Sequence, residues 1–279
     1  MQKMLDAIGS RPARKHLFRF VAQRVWRALS LAETMTDRGP RSAALVTGAA
    51  VRIGRAIALS LAADGWKIGV HYRSSEADAE RLVAEILENG GEAVRLQADL
   101  SREEDLTKLM SDCADQLGPT TLLVNNAAIF EPDDVATLDF AGWEAEFAIN
   151  LRAPVFLSQA FAKALPPEKT GSIVNLVDQC VMRPATNFFS YTLAKSALWT
   201  ATGMLAKALA PRIRVNAIGP GPVLPSRWQS EKEFRAEFQA TPLGRGATPE
   251  EICAAIRFLI ATPSITGQTI LLDGGQHLV

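Results

Sequence analysis

The chain has 279 residues, of which 48% are hydrophobic and 22% are charged, and its 30 Lys and Arg residues balance its 30 Asp and Glu residues. This ordinary globular composition excludes an intrinsically disordered chain. The three cysteines and three histidines are dispersed, so the sequence predicts neither a disulfide framework nor a metal site. No apolar run reaches the roughly twenty residues that a membrane span needs.

The first 40 residues carry eight Lys and Arg against three Asp and Glu, so the remainder of the neutral chain has a net charge of −5. That remainder is not expected to bind nucleic acid. Arginines alternate with apolar residues in segment 11–27, which is typical of an amphipathic presequence or a membrane-surface helix. We favour the other interpretation, a start codon assigned too far upstream of Met35. The expected compartment is the cytoplasm, or an organelle if residues 1–40 are a presequence.

Beyond residue 40, short β-branched runs alternate with helical patterns, which predicts βαβ units and a parallel sheet. Strands are predicted at residues 43–47, 68–71, 93–97, 121–125, 172–176, 214–218 and 269–272. Helices are predicted at residues 53–63, 77–89, 103–117, 143–164, 191–210 and 249–260. The expected fold is a single doubly wound α/β domain over residues 41–279. Residues 219–247 hold no predicted element, and a loop of that length is typical of a lid over a site.

The first predicted strand leads into a turn, residues 47–54, that opens a helix. In dinucleotide-binding folds this turn places a pyrophosphate on the helix N-terminus. Gly48 permits the tight turn, and Gly54 permits a close approach of helix and strand. Arg52 occupies a position that usually holds glycine. Together with Ile53, these residues form the predicted phosphate-binding turn.

The second predicted strand ends in His71-Tyr72-Arg73-Ser74-Ser75, without the acidic residue that binds the ribose 2′-hydroxyl of NAD. A cation beside hydroxyl groups suits a 2′-phosphate. The sequence therefore predicts NADPH as the cofactor, with Arg73 as the main determinant and Arg52 and Ser74 as helpers. The alternative is that Arg73 is a solvated loop charge. Further cofactor contacts are predicted near the ends of strands, from Tyr72, Asp99, Leu100, Asn125 and Ala127.

Tyr191 and Lys195 lie one helical turn apart, which places them on one face of a predicted helix. A nearby ammonium lowers the pKa of a phenol from its ordinary value of about 10 toward the working pH. The pair therefore suits proton donation to a substrate that receives hydride, with Asp178 a little upstream. The alternative is an ordinary exposed helix face.

With these motifs assembled, residues 41–279 resemble the short-chain dehydrogenase/reductase family. The matching motifs are residues 47–54, Asn125-Asn126-Ala127, Asn150, Tyr191 to Lys195, Pro220-Gly221 and Asp273-Gly274-Gly275. The resemblance implies a Rossmann-type domain with Tyr191 as the proton donor. It also implies that Lys195 holds the nicotinamide ribose and lowers the tyrosine pKa, that Asn150 organises a proton-relay water, and that Pro220 and Gly221 border the cofactor. A homotetramer or homodimer built on helix faces is expected.

Asp178 stands where this family usually has a serine that orients a carbonyl oxygen. The chain resembles the pteridine reductase branch at Asp178, Arg52, Phe130 and the run from His71 to Ser74. A pterin is a flat ring with an amidine-like edge, so it suits stacking on an aromatic ring and hydrogen bonding to acidic groups. By resemblance, Phe130 would sandwich the pterin against the nicotinamide, and Arg52 and Asp178 would contact its ring. The alternatives are a core aromatic at Phe130 and a turn cap at Asp178.

The expected reaction is NADPH-dependent reduction of a dihydropterin, or of dihydrofolate or an oxidised pterin, with a proton from Tyr191 or Asp178. The rival is reduction of a ketone or a 3-oxoacyl thioester, although a carboxylate facing a carbonyl oxygen repels the developing oxyanion unless it is protonated. A catalytically idle fold member is the third alternative, and the intact set of Asn150, Tyr191 and Lys195 argues against it. Trp228 is expected either to close over the substrate or to anchor its loop.

Overall fold

The computed structural model describes residues 42–279, and the predicted amphipathic extension lies outside them. In that part of the chain the strands form one parallel sheet: β1 Ala43–Val46, β2 Lys67–Tyr72, β3 Ala93–Gln97, β4 Thr120–Asn125, β5 Gly171–Leu176, β6 Ile213–Pro220 and β7 Thr269–Leu272. Their order in the sheet is β3-β2-β1-β4-β5-β6-β7. The chain runs outward from β1 on one side and from β4 on the other. The connections after these two strands therefore diverge and leave a crevice at the carboxyl edge, where open α/β sheets bind ligands.

Helices cover both faces of the sheet: α1 Arg52–Ala63, α2 Glu76–Glu88, α3 Glu103–Leu117, α4 Phe140–Phe147, α5 Ala153–Ala164, α6 Phe189–Leu209, α7 Glu231–Ala240 and α8 Pro249–Ala261. Ile57 of α1, Leu82 of α2 and Ile252 of α8 belong to one apolar core. Leu109 of α3 and Leu157 of α5 belong to a second core. The predicted doubly wound α/β fold with seven parallel strands is confirmed.

Two helical regions differ from the sequence-based prediction. The predicted helix at residues 143–164 is two α-helices joined by a π-helical segment, Ala148–Arg152. Residues 219–247, predicted to lack any element, contain the end of β6 and the helix α7. Helix α7 is mostly polar and buries none of its residues fully, although Phe234 and Phe238 are half-buried on one face. The reciprocal capping pair Ser230 and Glu233 was the available signal for its N-terminus.

None of the helices within residues 42–279 is long and apolar enough to cross a bilayer. In the same part of the chain, no three His, Cys, Asp or Glu side chains are grouped to hold a metal ion. Helix α6 exposes the apolar side chains of Trp199 and Met204, and α5 exposes Phe156. Association through helix faces stays a prediction, and these side chains are the ones that it would cover.

Candidate active site

Two adjoining cavities open at the carboxyl edge of the sheet. The smaller one, about 450 Å³, follows the ends of β1, β2 and β4. The larger one, about 820 Å³, lies between the end of β5, helix α6 and the segment that follows β6. The two share several lining residues: Arg52, Ile53, Asn126, Ala128, Phe130 and Tyr191. A ligand in one cavity can therefore contact a ligand in the other.

The turn after β1 has the backbone that a phosphate-binding turn needs. Gly48 has a φ of +62°, and a Cβ added to Gly54 would lie 2.1 Å from the Gly48 carbonyl oxygen, so only glycine fits there. Arg52 has a φ of +54°, in the left-handed region that favours glycine. Its guanidinium donates to the Leu224 carbonyl oxygen at 3.3 Å. Arg52 therefore connects the turn that borders the smaller cavity to the segment that borders the larger one.

His71, buried at the end of β2, is hydrogen-bonded to the backbone of this turn. The Gly48 N–H donates to His71 Nδ1 at 2.9 Å, and His71 Nε2 lies 3.2 Å from the Ala98 carbonyl oxygen. Because Nδ1 accepts, the ring proton belongs on Nε2, which donates to Ala98. Burial lowers the pKa of His71 to about 4. The ring therefore stays neutral at physiological pH and joins the turn to the loop that follows β3.

We expect His71 to make the protein acid-labile. Its folded pKa of about 4 lies below its ordinary value of 6.5, so the neutral ring stabilises the fold above pH 6.5, and this contribution disappears as the pH falls toward 4. The loss amounts to about 3 kcal/mol. Urea unfolding of wild type and H71N should show that the wild type's larger free energy of unfolding at pH 7 falls toward that of H71N by this amount at pH 4. A difference in the free energy of unfolding that is independent of pH would contradict this account.

The residues predicted to recognise a 2′-phosphate lie at the far end of the smaller cavity. Arg73 and Ser74 follow β2, are exposed and line this cavity, with Tyr72 and Leu100 beside them. Asp99 lies outside both cavities. Hydrogen bonds from Ser101 lower the pKa of Asp99, and the positive charge of Arg73 lowers it further. The Asp99 carboxylate therefore lies close enough to Arg73 to interact with its charge.

The predicted proton-transfer residues meet in the larger cavity. The Tyr191 hydroxyl donates to Asp178 Oδ2 at 3.0 Å, while Asp178 Oδ1 accepts from the Cys180 N–H at 2.8 Å. Asp178 therefore caps a short turn and also accepts a hydrogen bond from Tyr191. The turn-cap interpretation and the placement of Asp178 beside Tyr191 thus both hold. Lys195 Nζ donates to the Leu176 carbonyl oxygen at 2.7 Å and lies 5.7 Å from the centre of the Tyr191 ring.

The electrostatics of this cluster differ from the expectation that Lys195 lowers the tyrosine pKa. Burial raises the pKa of Tyr191 well above its ordinary value, and the Asp178 carboxylate raises it further. Burial also raises the pKa of Asp178 and lowers that of Lys195 to about 8. Because burial dominates, the phenol holds its proton tightly, and the carboxyl keeps its proton to a higher pH than an exposed aspartate does. Asp178 is therefore the better-matched acid of the pair.

Phe130 lies on the border between the two cavities. Its ring stacks on Phe188 with centroids 3.9 Å apart, and it meets the Tyr191 ring edge-on at 4.7 Å. Trp228 Nε1 donates to the Phe130 carbonyl oxygen at 2.7 Å, and an ion pair joins the neighbouring Arg227 and Glu131. Trp228 therefore anchors its loop and also lines the larger cavity. The sandwich of a pterin between Phe130 and the nicotinamide stays a prediction.

Asn150 and Asn125 lie outside both cavities and hold the framework around them. The Asn150 amide pairs with the backbone of Ile129, accepting from its N–H at 3.3 Å and donating to its carbonyl at 3.0 Å. Asn125 donates to Asn175, which donates to Thr202 on α6. Of the remaining predicted residues, Ala127 lines the smaller cavity, and Pro220 and Gly221 line the larger one.

Several site residues were not singled out from the sequence. Asn126 donates from its side chain to the carbonyls of the turn after β1 and lines both cavities. Gln179 and Gln276 line the larger cavity, and their buried Oε1 atoms have no hydrogen-bond partner among residues 42–279. Glu146 is buried four residues before Asn150. Asn126 stands inside a recognised motif and Glu146 has helical spacing to Asn150, but the glutamines carry no sequence signal.

The family follows from comparison with known proteins. Residues 48–277 match the family model described as enoyl-(acyl carrier protein) reductase. The chain belongs to the short-chain dehydrogenase/reductase family. The expectation of an oxidoreductase is thereby confirmed, and the idle fold member is set aside.

Named members of the short-chain dehydrogenase/reductase family match most of this chain. The 3-oxoacyl-[acyl-carrier-protein] reductase of Synechocystis sp. is 36% identical over 239 residues, which cover 84% of this chain and 96% of that protein. FolM alternative dihydrofolate reductase 1 of Brucella suis, solved in complex with NADP, is 46% identical with a TM-score of 0.84. The match covers 86% of this chain and 96% of that one. A blue fluorescent protein from a metagenomic library, solved in complex with NADPH, is 31% identical with a TM-score of 0.78. The match covers 84% of this chain and 97% of that one.

The smaller cavity of this short-chain reductase fits a phosphorylated dinucleotide. The close approach at Gly54 and the left-handed Gly48 leave the first helix N-terminus open to a pyrophosphate. Arg73 supplies a cation, and Ser74 a hydroxyl, at the other end of the same cavity. The Tyr191 ring lies where this cavity joins the larger one. A ligand in either cavity can therefore reach Tyr191.

Proposed function

We propose that this enzyme reduces a dihydropterin to its tetrahydro form with NADPH. The observation that carries the proposal is the partly buried Asp178 carboxyl, hydrogen-bonded to Tyr191 in a cavity that is bordered by Phe130. An acid at this point suits a ring C=N, whose nitrogen needs a proton as hydride reaches the carbon. The relationship to FolM alternative dihydrofolate reductase 1 supports the same chemistry.

NADPH supplies the hydride. The turn bearing Gly48 and Gly54 would hold its pyrophosphate, and Arg73 with Ser74 would hold its 2′-phosphate. Lys195 donates one hydrogen bond to the Leu176 carbonyl oxygen and would present its remaining N–H groups to the nicotinamide ribose. The solved relatives with NADP and NADPH support this choice of cofactor.

The proton would reach the substrate nitrogen through Asp178 and Tyr191. Their side chains share a hydrogen bond of 3.0 Å, along which a proton can pass between phenol and carboxyl. Burial raises the pKa of Asp178, so a fraction of this carboxyl stays protonated at a higher pH than an exposed aspartate allows. The group that gives up its proton can recover one from its partner. The pair therefore acts as one unit in proton donation.

Recognition of the pterin would rest on the walls of the larger cavity. Phe130 offers an aromatic face on which the flat ring would stack. The unpartnered Oε1 atoms of Gln179 and Gln276 offer two acceptors inside the same cavity. Acceptors of this kind suit the N–H and O–H groups of a pterin and its side chain.

A carbonyl or 3-oxoacyl thioester reductase is the second candidate. It is favoured by the 36% identity to the Synechocystis 3-oxoacyl-[acyl-carrier-protein] reductase. The argument against it is again Asp178, because an ionised carboxylate beside a carbonyl oxygen opposes the negative charge that forms during reduction. If Asp178 is protonated throughout the reaction, this objection disappears, and only substrate comparison separates the two candidates.

Purified enzyme should oxidise NADPH rapidly with a 7,8-dihydropterin and slowly with a 3-oxoacyl ester. The measurement is the loss of NADPH absorbance with each acceptor, repeated with dihydrofolate and with NADH. A preference for the dihydropterin follows from the acid at Asp178 and the aromatic wall at Phe130. Turnover of the oxoacyl ester alone would establish the second candidate and reject the pterin assignment.

A further inference from the structure

Glu146 is a buried carboxyl that joins helix α4 to the segment bearing Phe130. Its side chain is on the inner face of the helix, and the residue is 2% exposed. Oε1 accepts from the Glu131 N–H at 2.9 Å. Oε2 accepts from the amide nitrogen of Asn150, one turn later in the chain. Glu146 thus binds the backbone of the segment that follows Phe130 and also the Asn150 side chain, which pairs with the backbone before Phe130.

The backbone is held on both sides of Phe130. Before it, Ile129 is paired through its N–H and its carbonyl with the Asn150 amide, at 3.3 and 3.0 Å. After it, Glu131 is paired through its N–H with Glu146. Because Glu146 also holds the Asn150 amide, it contributes to both attachments. Glu146 therefore helps to fix the backbone on both sides of Phe130, beside the contacts that Phe188 and Trp228 make with Phe130 itself.

We infer that Glu146 is a positioning residue for the reaction, holding Phe130 and Asn150 in the arrangement in which the site binds its substrate. This inference rests on the proposed role of Phe130 as the aromatic wall of the substrate cavity. Glu146 acts through its neighbours and lines neither of the two cavities.

A carboxylate suits this place better than any isosteric side chain. Both groups that face it, the Glu131 N–H and the Asn150 amide nitrogen, are donors, and only a carboxylate offers two acceptors. A glutamine would accept from one donor and oppose the other, and a leucine would accept from neither. Burial raises the pKa of Glu146 to about 8; the Asp133 charge adds to this shift, and Lys195 opposes it. The carboxyl is thus retained at a place that disfavours its charge.

The test compares E146L and E146Q with E144Q. Glu144 is exposed on the same helix, so E144Q controls for a change of charge on α4. We expect E146L to raise the KM for the dihydropterin about tenfold, in line with leaving two buried donors without an acceptor. E146Q, which keeps one acceptor, should show a smaller rise, and E144Q none. The dissociation constant for NADPH, measured by fluorescence titration, should stay at the wild-type value in all three.

Wild-type KM values in both Glu146 variants would overturn the inference. A parallel weakening of NADPH binding would also overturn it, because it would show general damage to the fold. If E146L does not bind NADPH at all, E146Q decides alone by the same two readouts. Failure of the wild type with every dihydropterin rejects the proposed function instead. The KM comparison is then made with the oxoacyl ester, where a rise in the variants still supports positioning by Glu146.

Discussion

Replacing Tyr191 by phenylalanine is expected to lower kcat by at least about a hundredfold, the range in which a general acid contributes. Phenylalanine preserves the ring that meets Phe130 edge-on at 4.7 Å, so the shape of the site survives. Only the hydroxyl is lost, together with its hydrogen bond of 3.0 Å to Asp178. Steady-state turnover of the dihydropterin measures the effect, and fluorescence titration should show NADPH binding close to wild type.

Two further variants make this result interpretable. D178N keeps the size of the side chain and removes its acidic proton, so it should also lower kcat strongly if the two residues act as one unit. K207Q changes an exposed side chain more than four turns later on the same helix and should be neutral. Near-normal turnover in Y191F with an inactive D178N would assign the proton to Asp178 alone. Near-normal turnover in both would remove the proton-donor assignment altogether.

The sheet was readily predicted from sequence because its strands are short, apolar and separated by clear helical patterns. The predicted boundaries of β3, β7 and α3 coincide with those of the structure. Acidic residues at the start of α3 and the glycine that follows it mark its ends clearly. The π-helical segment before α5 was missed, because it keeps an uninterrupted helical pattern in sequence. Helix α7 was missed because it is short and mostly polar, and its two aromatic side chains, Phe234 and Phe238, give only one turn of apolar pattern.

The sequence indicates which site residues lie near one another where backbone topology alone brings them together. Tyr191, Lys195 and Asp178 meet because parallel strands end at one edge of the sheet. The direction of the Tyr191 pKa shift could not be predicted, because it depends on burial around the hydroxyl. The contact of Glu146 with Asn150 depends on which face of α4 turns inward. Side-chain orientation of this kind follows from tertiary packing rather than from a local motif.

Replacing Arg73 by glutamine is expected to raise the KM for NADPH about tenfold to a hundredfold, as expected for loss of a charge-assisted hydrogen bond. The KM for NADH should change little, because NADH has no 2′-phosphate. The loss is specific to NADPH because the neutral ribose hydroxyl of NADH does not need the cation.

R81Q is the matched control, because Arg81 is an exposed arginine of α2 that pairs with Asp78 and lies outside both cavities. It removes the same charge from the surface, so it separates local recognition of the phosphate from a change in net charge. The ratio of kcat/KM for NADPH to that for NADH should fall in R73Q and stay constant in R81Q. An unchanged ratio in R73Q would mean that Arg73 is a solvated loop charge. Selectivity would then have to come from Arg52, the other arginine that lines the smaller cavity, and R52Q would be the variant that lowers the ratio.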